Sequence, residues 1–125
     1  MQKKIYFKKD KRACVYKHTV VSGDGVMPQD EYSLMCPEKW CYTSQLSQSR
    51  IFEAMGVGSN ESRFFVFNPS QLWGEIEVDD AIKYRGKWYH ITRVDTQDDY
   101  KGELFVYVDD MSEPPKPEQI NSYWI

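Results

Sequence analysis

The stretch from Ile82 to Val108, IKYRGKWYHITRVDTQDDYKGELFVYV, reads as three strands joined by two turns, with aromatic or aliphatic side chains on both faces of nearly every strand. Successive side chains of a strand point to opposite sides, so a sheet with one wet face would alternate apolar and polar residues. Here both faces need cover. The first turn, Arg85-Gly86, is the right length for a two-residue hairpin. In the second strand Tyr89 and Ile91 share a face, but the next aliphatic residue, Val94, stands three positions further on. If all three reach one core, a β-bulge falls near Thr92-Arg93, and such bulges bend strands as a small closed barrel requires.

The rest of the chain is punctuated like a β protein. Ala13 to Val21 alternates and is rich in β-branched residues, which predicts a first strand ending at Ser22-Gly23-Asp24-Gly25. Val26 to Pro37 is expected to be a loop. Lys39 to Leu46 is a second strand, with Trp40, Tyr42 and Ser44 on one face and Cys41, Thr43 and Gln45 on the other. SQSRIFEAMGVG predicts a short helix capped by Ser47 or Ser49 and stopped at Gly56 or Gly58. Ser62 to Phe67 is a third strand, broken by Asn68-Pro69; Asp79 to Tyr84, Lys87 to Asp95 and Gly102 to Asp109 follow. The expected fold is mainly β, a small five- or six-stranded β-barrel with one short helix. Its parts are a basic N-terminal arm (1–12), the barrel domain (13–110) and a Pro-rich C-terminal tail (111–125).

Composition narrows the function classes. A chain of 125 residues holds one core. No apolar run approaches the length of about 20 residues that a membrane helix needs, and no apolar segment follows the charged start MQKKIYFKKDKR, so neither membrane insertion nor secretion is expected. The net charge of −3 is unevenly spread: residues 1 to 20 carry seven Lys and Arg against Asp10 alone, which leaves the remainder strongly acidic. An acidic body argues against tight, sequence-independent DNA binding, which rests on neutralising phosphates. Cys14, Cys36 and Cys41 lack paired spacing and read as reduced thiols. The sequence has no nucleophile elbow, phosphate-cradling glycine loop or zinc-helix motif. No catalytic residue, metal site or cofactor is therefore expected. Asp79-Asp80, Asp98-Asp99 and Asp109-Asp110 are assigned to strand ends and turns, and His90 to an interface or surface position.

The doubly apolar sheet then carries most of the functional inference. Phe64 and Val66 face opposite to Phe65 and Phe67, and Leu104, Val106 and Val108 opposite to Phe105 and Tyr107. One short helix cannot cover both outer sides, and large exposed apolar patches mark protein contacts. Phe65, Phe67, Trp88, His90, Phe105 and Tyr107 are accordingly assigned to a self-association or partner interface. In the tail SEPPKPEQINSYWI the prolines favour an extended spacer, while Tyr123 and Trp124 are too apolar for a free end. They are expected to dock on a neighbouring subunit or a partner.

The run RIFEAMGVG, then ESRFFVF, VDDAIKYRGKWYHITRV and KGELFVYV, resembles the head closure, or head-to-tail joining, proteins of long-tailed bacteriophages and prophages. The likeness covers roughly Lys39 to Asp109 and lies in the order and spacing of the segments. It departs from the family pattern at the longer basic start and at SGDGVMPQDEYSLMCPE between the first two strands.

The resemblance implies a virion structural protein of the head-tail connector, made in the bacterial host cytoplasm. It would assemble as a ring, commonly twelvefold, below the portal and its adaptor. That ring closes the DNA-filled head, offers a docking surface to the tail, and lets double-stranded DNA pass through its channel. By the same likeness the connection containing Ser47, Arg50, Glu53, Gly56, Gly58, Ser59 and Asn60 approaches the channel and gates the DNA. Two other readings stand beside it. One is an OB or SH3-like barrel that stacks single-stranded nucleic acid on Trp88, Tyr84 and Phe105. The other is a small-ligand carrier, although a barrel of this size is filled by its own side chains.

Overall fold

The computed structural model describes residues 7–22, 27–45, 62–72, 74–95 and 103–121. These residues form seven strands: β1 (Lys11–Val21), β2 (Gln29–Gln45), β3 (Arg63–Phe67), β4 (Ala81–Tyr84), β5 (Lys87–Asp95), β6 (Leu104–Asp110) and β7 (Ile120–Asn121). Hydrogen-bonded neighbours follow the order β1-β4-β5-β6-β3-β2, and β2 pairs back onto β1, so six strands form a ring of antiparallel ladders. The seventh, β7, lies parallel beside β2, with Ile120 opposite Tyr32. The short helix expected between Ser47 and Gly58 lies outside the described residues.

Local chemistry accounts for the corners. Arg85 and Gly86 both have positive φ, 51° and 78°, the combination that a tight type I′ hairpin turn demands. The pairing of β5 with β6 shifts register between Ile91 and Arg93. This is the bulge read from the Tyr89, Ile91, Val94 spacing, and it brings all three residues to one core. After β3, Asn68 accepts a hydrogen bond from the Ser70 amide and starts a 3-10 turn at Pro69–Gln71.

The expected loop from Val26 to Pro37 is corrected in large part: β2 begins at Gln29 and runs for 17 residues. Its pairing with β1 jumps from Lys39 to Cys36 and from Cys36 to Leu34 while β1 advances by two residues and by one. β2 thus carries an extra residue at each of two bulges. Pro37, which has no amide hydrogen to donate, sits in the first of them, where the ladder is already interrupted. The same bulges let one strand pair with β1 along its length and then turn to β3.

Inside the ring, Val15, Cys36, Phe65, Phe67, Ile82, Ile91, Val106 and Val108 form a core closed to solvent. The outer faces are covered by the chain itself. Phe7 packs edge-on against Phe105 at 5.2 Å and Tyr42 at 5.3 Å, in a cluster with Phe64, Val66 and Tyr107. The Arg93 guanidinium lies 4.0 Å from the centre of the Tyr107 ring. On the other flank Met111 and Ile120 pack against Tyr16, Ala81 and Trp88. Segments flanking the ring at both ends of the sequence therefore fold back over it.

This corrects one expectation. Phe65, Phe67, Trp88, Phe105 and Tyr107 are buried within one chain, so no neighbour is needed to cover them. Of the C-terminal segment, Ile120 and Asn121 lie on the chain's own β2, while Tyr123 and Trp124, expected on a neighbour or partner, lie outside the described residues. Truncation after Glu113 should accordingly lower the melting stability of the monomer itself, by about 2–4 kcal/mol for the uncovered Trp88 and Tyr16 cluster. An unchanged melting temperature in the truncated chain would contradict this packing.

Candidate functional site

Because β3 ends and β4 begins at the same mouth of the ring, the connection between them must cross that mouth. Leu72 and Ile76 point into the core from it, while Glu75, Glu77 and Asp79 stay exposed. Asp80, 3% exposed, is the buried polar residue of this mouth. Its carboxylate accepts hydrogen bonds from Lys17 Nζ at 3.0 Å, the His18 amide at 3.1 Å and the Glu77 amide at 2.9 Å. Burial pushes the Lys17 ammonium down. The Asp80 carboxylate, by hydrogen bond and by charge, and Glu77 more weakly, outweigh burial and hold it above the ordinary lysine value.

At this acidic mouth β1 leaves β4. Beyond Tyr16, residues 17–21 of β1 pair only with residues 29–33 of β2, whose Tyr32 and Ser33 carry β7 on their other edge, so the ribbon is two-stranded from Thr19 and Glu31 outward. Isolated two-stranded ribbons are marginal in water, and this one is held at its base by Asp80 on the β1 side and by β7 on the β2 side. Along it His18 stacks on Tyr32 at 4.9 Å, with Nε2 2.7 Å from Asp30 Oδ1. Its far end exposes Val20, Val21 and, at 82%, Met27.

The opposite mouth is basic. Arg63 opens β3 and turns inward, its guanidinium 5.5 Å from the Tyr84 ring centre and 5.9 Å from that of Tyr89, donating to Thr43 Oγ1 at 2.9 Å. Around the β4–β5 turn Lys83 lies over Trp88 at 5.6 Å, Arg85 over Tyr84 at 5.2 Å and Lys87 over Tyr89 at 5.4 Å. Among the described residues one carboxylate, Asp110, reaches any of these four cations, at 3.4 Å from Lys87. Aromatic faces, not counter-ions, hold the charges in place. On the outer face of β2, half-exposed Trp40 carries the Arg12 guanidinium 4.6 Å from its ring.

Sequence reasoning placed none of these charges in a site. The signal was present in KYRGKWY, where each cation neighbours an aromatic residue in sequence across a two-residue turn. Of the described residues assigned to an interface, His90 is the one whose ring is accessible, and its Nε2 lies 3.0 Å from Asp79 Oδ1. Tyr123, Trp124 and the gating residues Ser47, Arg50, Glu53, Gly56, Gly58, Ser59 and Asn60 lie outside the described residues. Trp88, Tyr84 and Phe105 are buried and offer no face to a base, which removes the stacking platform proposed for single-stranded nucleic acid.

For chemistry the described residues provide little. Burial, then the nearby Asp10 charge, pushes the Cys41 thiol up to about 12, far from a reactive thiolate. Among the described residues no three His, Cys, Asp or Glu side chains converge as metal ligands. An open cleft of about 580 Å³ between the ribbon and the proline-rich segment is lined by Asp30, Tyr32, Glu113 and Lys116. Among the described residues no helix is long and apolar enough to cross a membrane. No protein-family model matches the chain, and no curated protein matches it in sequence.

Proposed function

We propose that the protein is a structural subunit of a bacteriophage head-tail connector, a small β-barrel with no catalytic step that assembles as a ring below the portal and its adaptor. The observation that carries this reading is the unbroken antiparallel run β4-β5-β6-β3, bulged between Ile91 and Arg93. It is built from three of the four segments that resemble head closure proteins, ESRFFVF, VDDAIKYRGKWYHITRV and KGELFVYV; the first, RIFEAMGVG, lies outside the described residues. A closed ring of ladders with a filled interior suits a rigid building block. The projecting ribbon and the charged mouths are features that contact other proteins rather than convert a substrate. In this reading the connection from Ser47 to Ser62 lies toward the channel and retains the DNA, and the tail docks on the assembled ring.

Deletion of the gene from its phage or prophage tests the reading. Lysates should contain complete tails and heads that fail to join, with infectivity restored by the gene in trans. Normally tailed, infectious particles from the deletion strain would refute it.

A further inference from the structure

The two mouths differ in charge, and they stand at opposite ends of the same short strand. Glu77, Asp79 and Asp80 precede β4, and Arg85 follows it, so at about 3.3 Å per residue the two groups are separated by more than 10 Å along the ring axis. Arg85 also occupies a left-handed turn position, φ 51°, that Asn or Gly fills with less strain. The turn thus presents a cation where local backbone preference asks for none. Ion pairing within the chain leaves Lys83 and Arg85 without a carboxylate among the described residues. On the other side Glu75 and Glu77 are exposed, with Glu77 also 3.4 Å from Lys17 Nζ and Asp79 3.0 Å from His90 Nε2.

We infer that the basic mouth of one copy docks against the acidic mouth of the next, so that Arg85, Lys87 and Lys83 face Glu75, Glu77 and Asp79 of a second copy. Two different patches meeting in this way make a heterologous contact, which closes into a ring if the rotation between copies permits and otherwise runs on as a filament. The ribbon projects from the acidic mouth, and its exposed Val20, Val21 and Met27 supply apolar area that the charges alone lack. Pole-to-pole docking deepens the connector reading by naming the surfaces that meet, but the contact itself needs no closure.

The test is charge reversal with rescue in trans, on the full chain, read by sedimentation and native mass spectrometry. Arg85→Glu/Lys87→Glu and Glu75→Lys/Glu77→Lys are made separately. Each should keep its circular dichroism spectrum and lose self-association by at least about tenfold, because like charges then face each other across the contact. Mixing the two variants should restore association, since both the altered and the native mouths are again complementary. If either fails to fold, Arg85→Gln/Lys87→Gln replaces it and should weaken association less. Wild-type association should also fall by about tenfold between roughly 0.02 M and 0.5 M salt, as screening shortens the reach of the charges. Reversed variants that associate like the wild type, a mixture that shows no rescue, or a wild-type chain that stays monomeric at every salt and concentration would each overturn the inference. Loss of duplex DNA binding with association intact would instead reassign the basic mouth to nucleic acid. Open filaments that obey the charge rules would support the contact and contradict the ring, whereas rings insensitive to reversal would do the opposite.

Discussion

Asp80→Ala is expected to destabilise the protein by about 3 kcal/mol, seen as a melting temperature lower by roughly 12 °C. The substitution removes a 3% exposed carboxylate that is the acceptor for two amides, of His18 and Glu77, and for the partly buried Lys17 ammonium. Unpaired buried donors lose their hydration without compensation, which costs about 1–3 kcal/mol each. Asp80→Asn retains one acceptor oxygen and should lose about half as much. The ribbon should loosen before the ring does, with faster hydrogen exchange at Lys17–Val21 than at Arg63–Phe67. The pairing also sets an alkaline limit. A lysine held above its ordinary value in the folded state contributes stability that is complete below the unfolded value, and it is lost as pH rises through the raised one. Wild type should therefore lose stability above about pH 10.4 more steeply than the Asp80→Ala variant. Equal melting of variant and wild type would remove Asp80 from its place at the base of the ribbon.

Phe7→Ala should cost about 3 kcal/mol. Phe7 is 4% exposed and meets Tyr42, Phe64 and Phe105 edge-on. Its loss opens the outer face of β2, β3 and β6 to water. The neighbouring Lys8 is exposed, and Lys8→Ala should stay within about 0.5 kcal/mol of wild type. A melting curve for Phe7→Ala indistinguishable from that of Lys8→Ala would show that the arm is not part of the fold. If the account is right, the variant also gains a hydrophobic patch, measured as dye binding and a tendency to aggregate.

What was legible in the sequence follows the physics of each segment. Alternation fixed the faces of Phe64 to Phe67 and of Leu104 to Val108, because a pleat of period two sorts side chains without reference to anything distant. The Arg85-Gly86 turn and the bulge after Ile91 were legible for the same reason, since both are local. β2 was missed over Gln29 to Pro37 because two bulges and a proline break the alternation that announces a strand. The burial of Phe105, Tyr107 and Trp88 was misassigned for a different reason. The faces were read correctly as apolar, but their cover comes from Phe7, Met111 and Ile120, which are far from them in sequence and too few to form a recognisable pattern. The charged mouths needed topology: Glu77 and Arg85 are eight residues apart in the chain, and only the direction of β4 sets them at opposite ends.

The central claim, a ring-forming subunit at the junction of head and tail, is tested most directly by counting. Quantitative mass spectrometry of purified virions from the phage or prophage that carries the gene should find the protein in a fixed, ring-sized copy number, about one chain per portal subunit. Its absence from purified particles, or a copy number in the hundreds as for a shell or tube protein, would contradict the account.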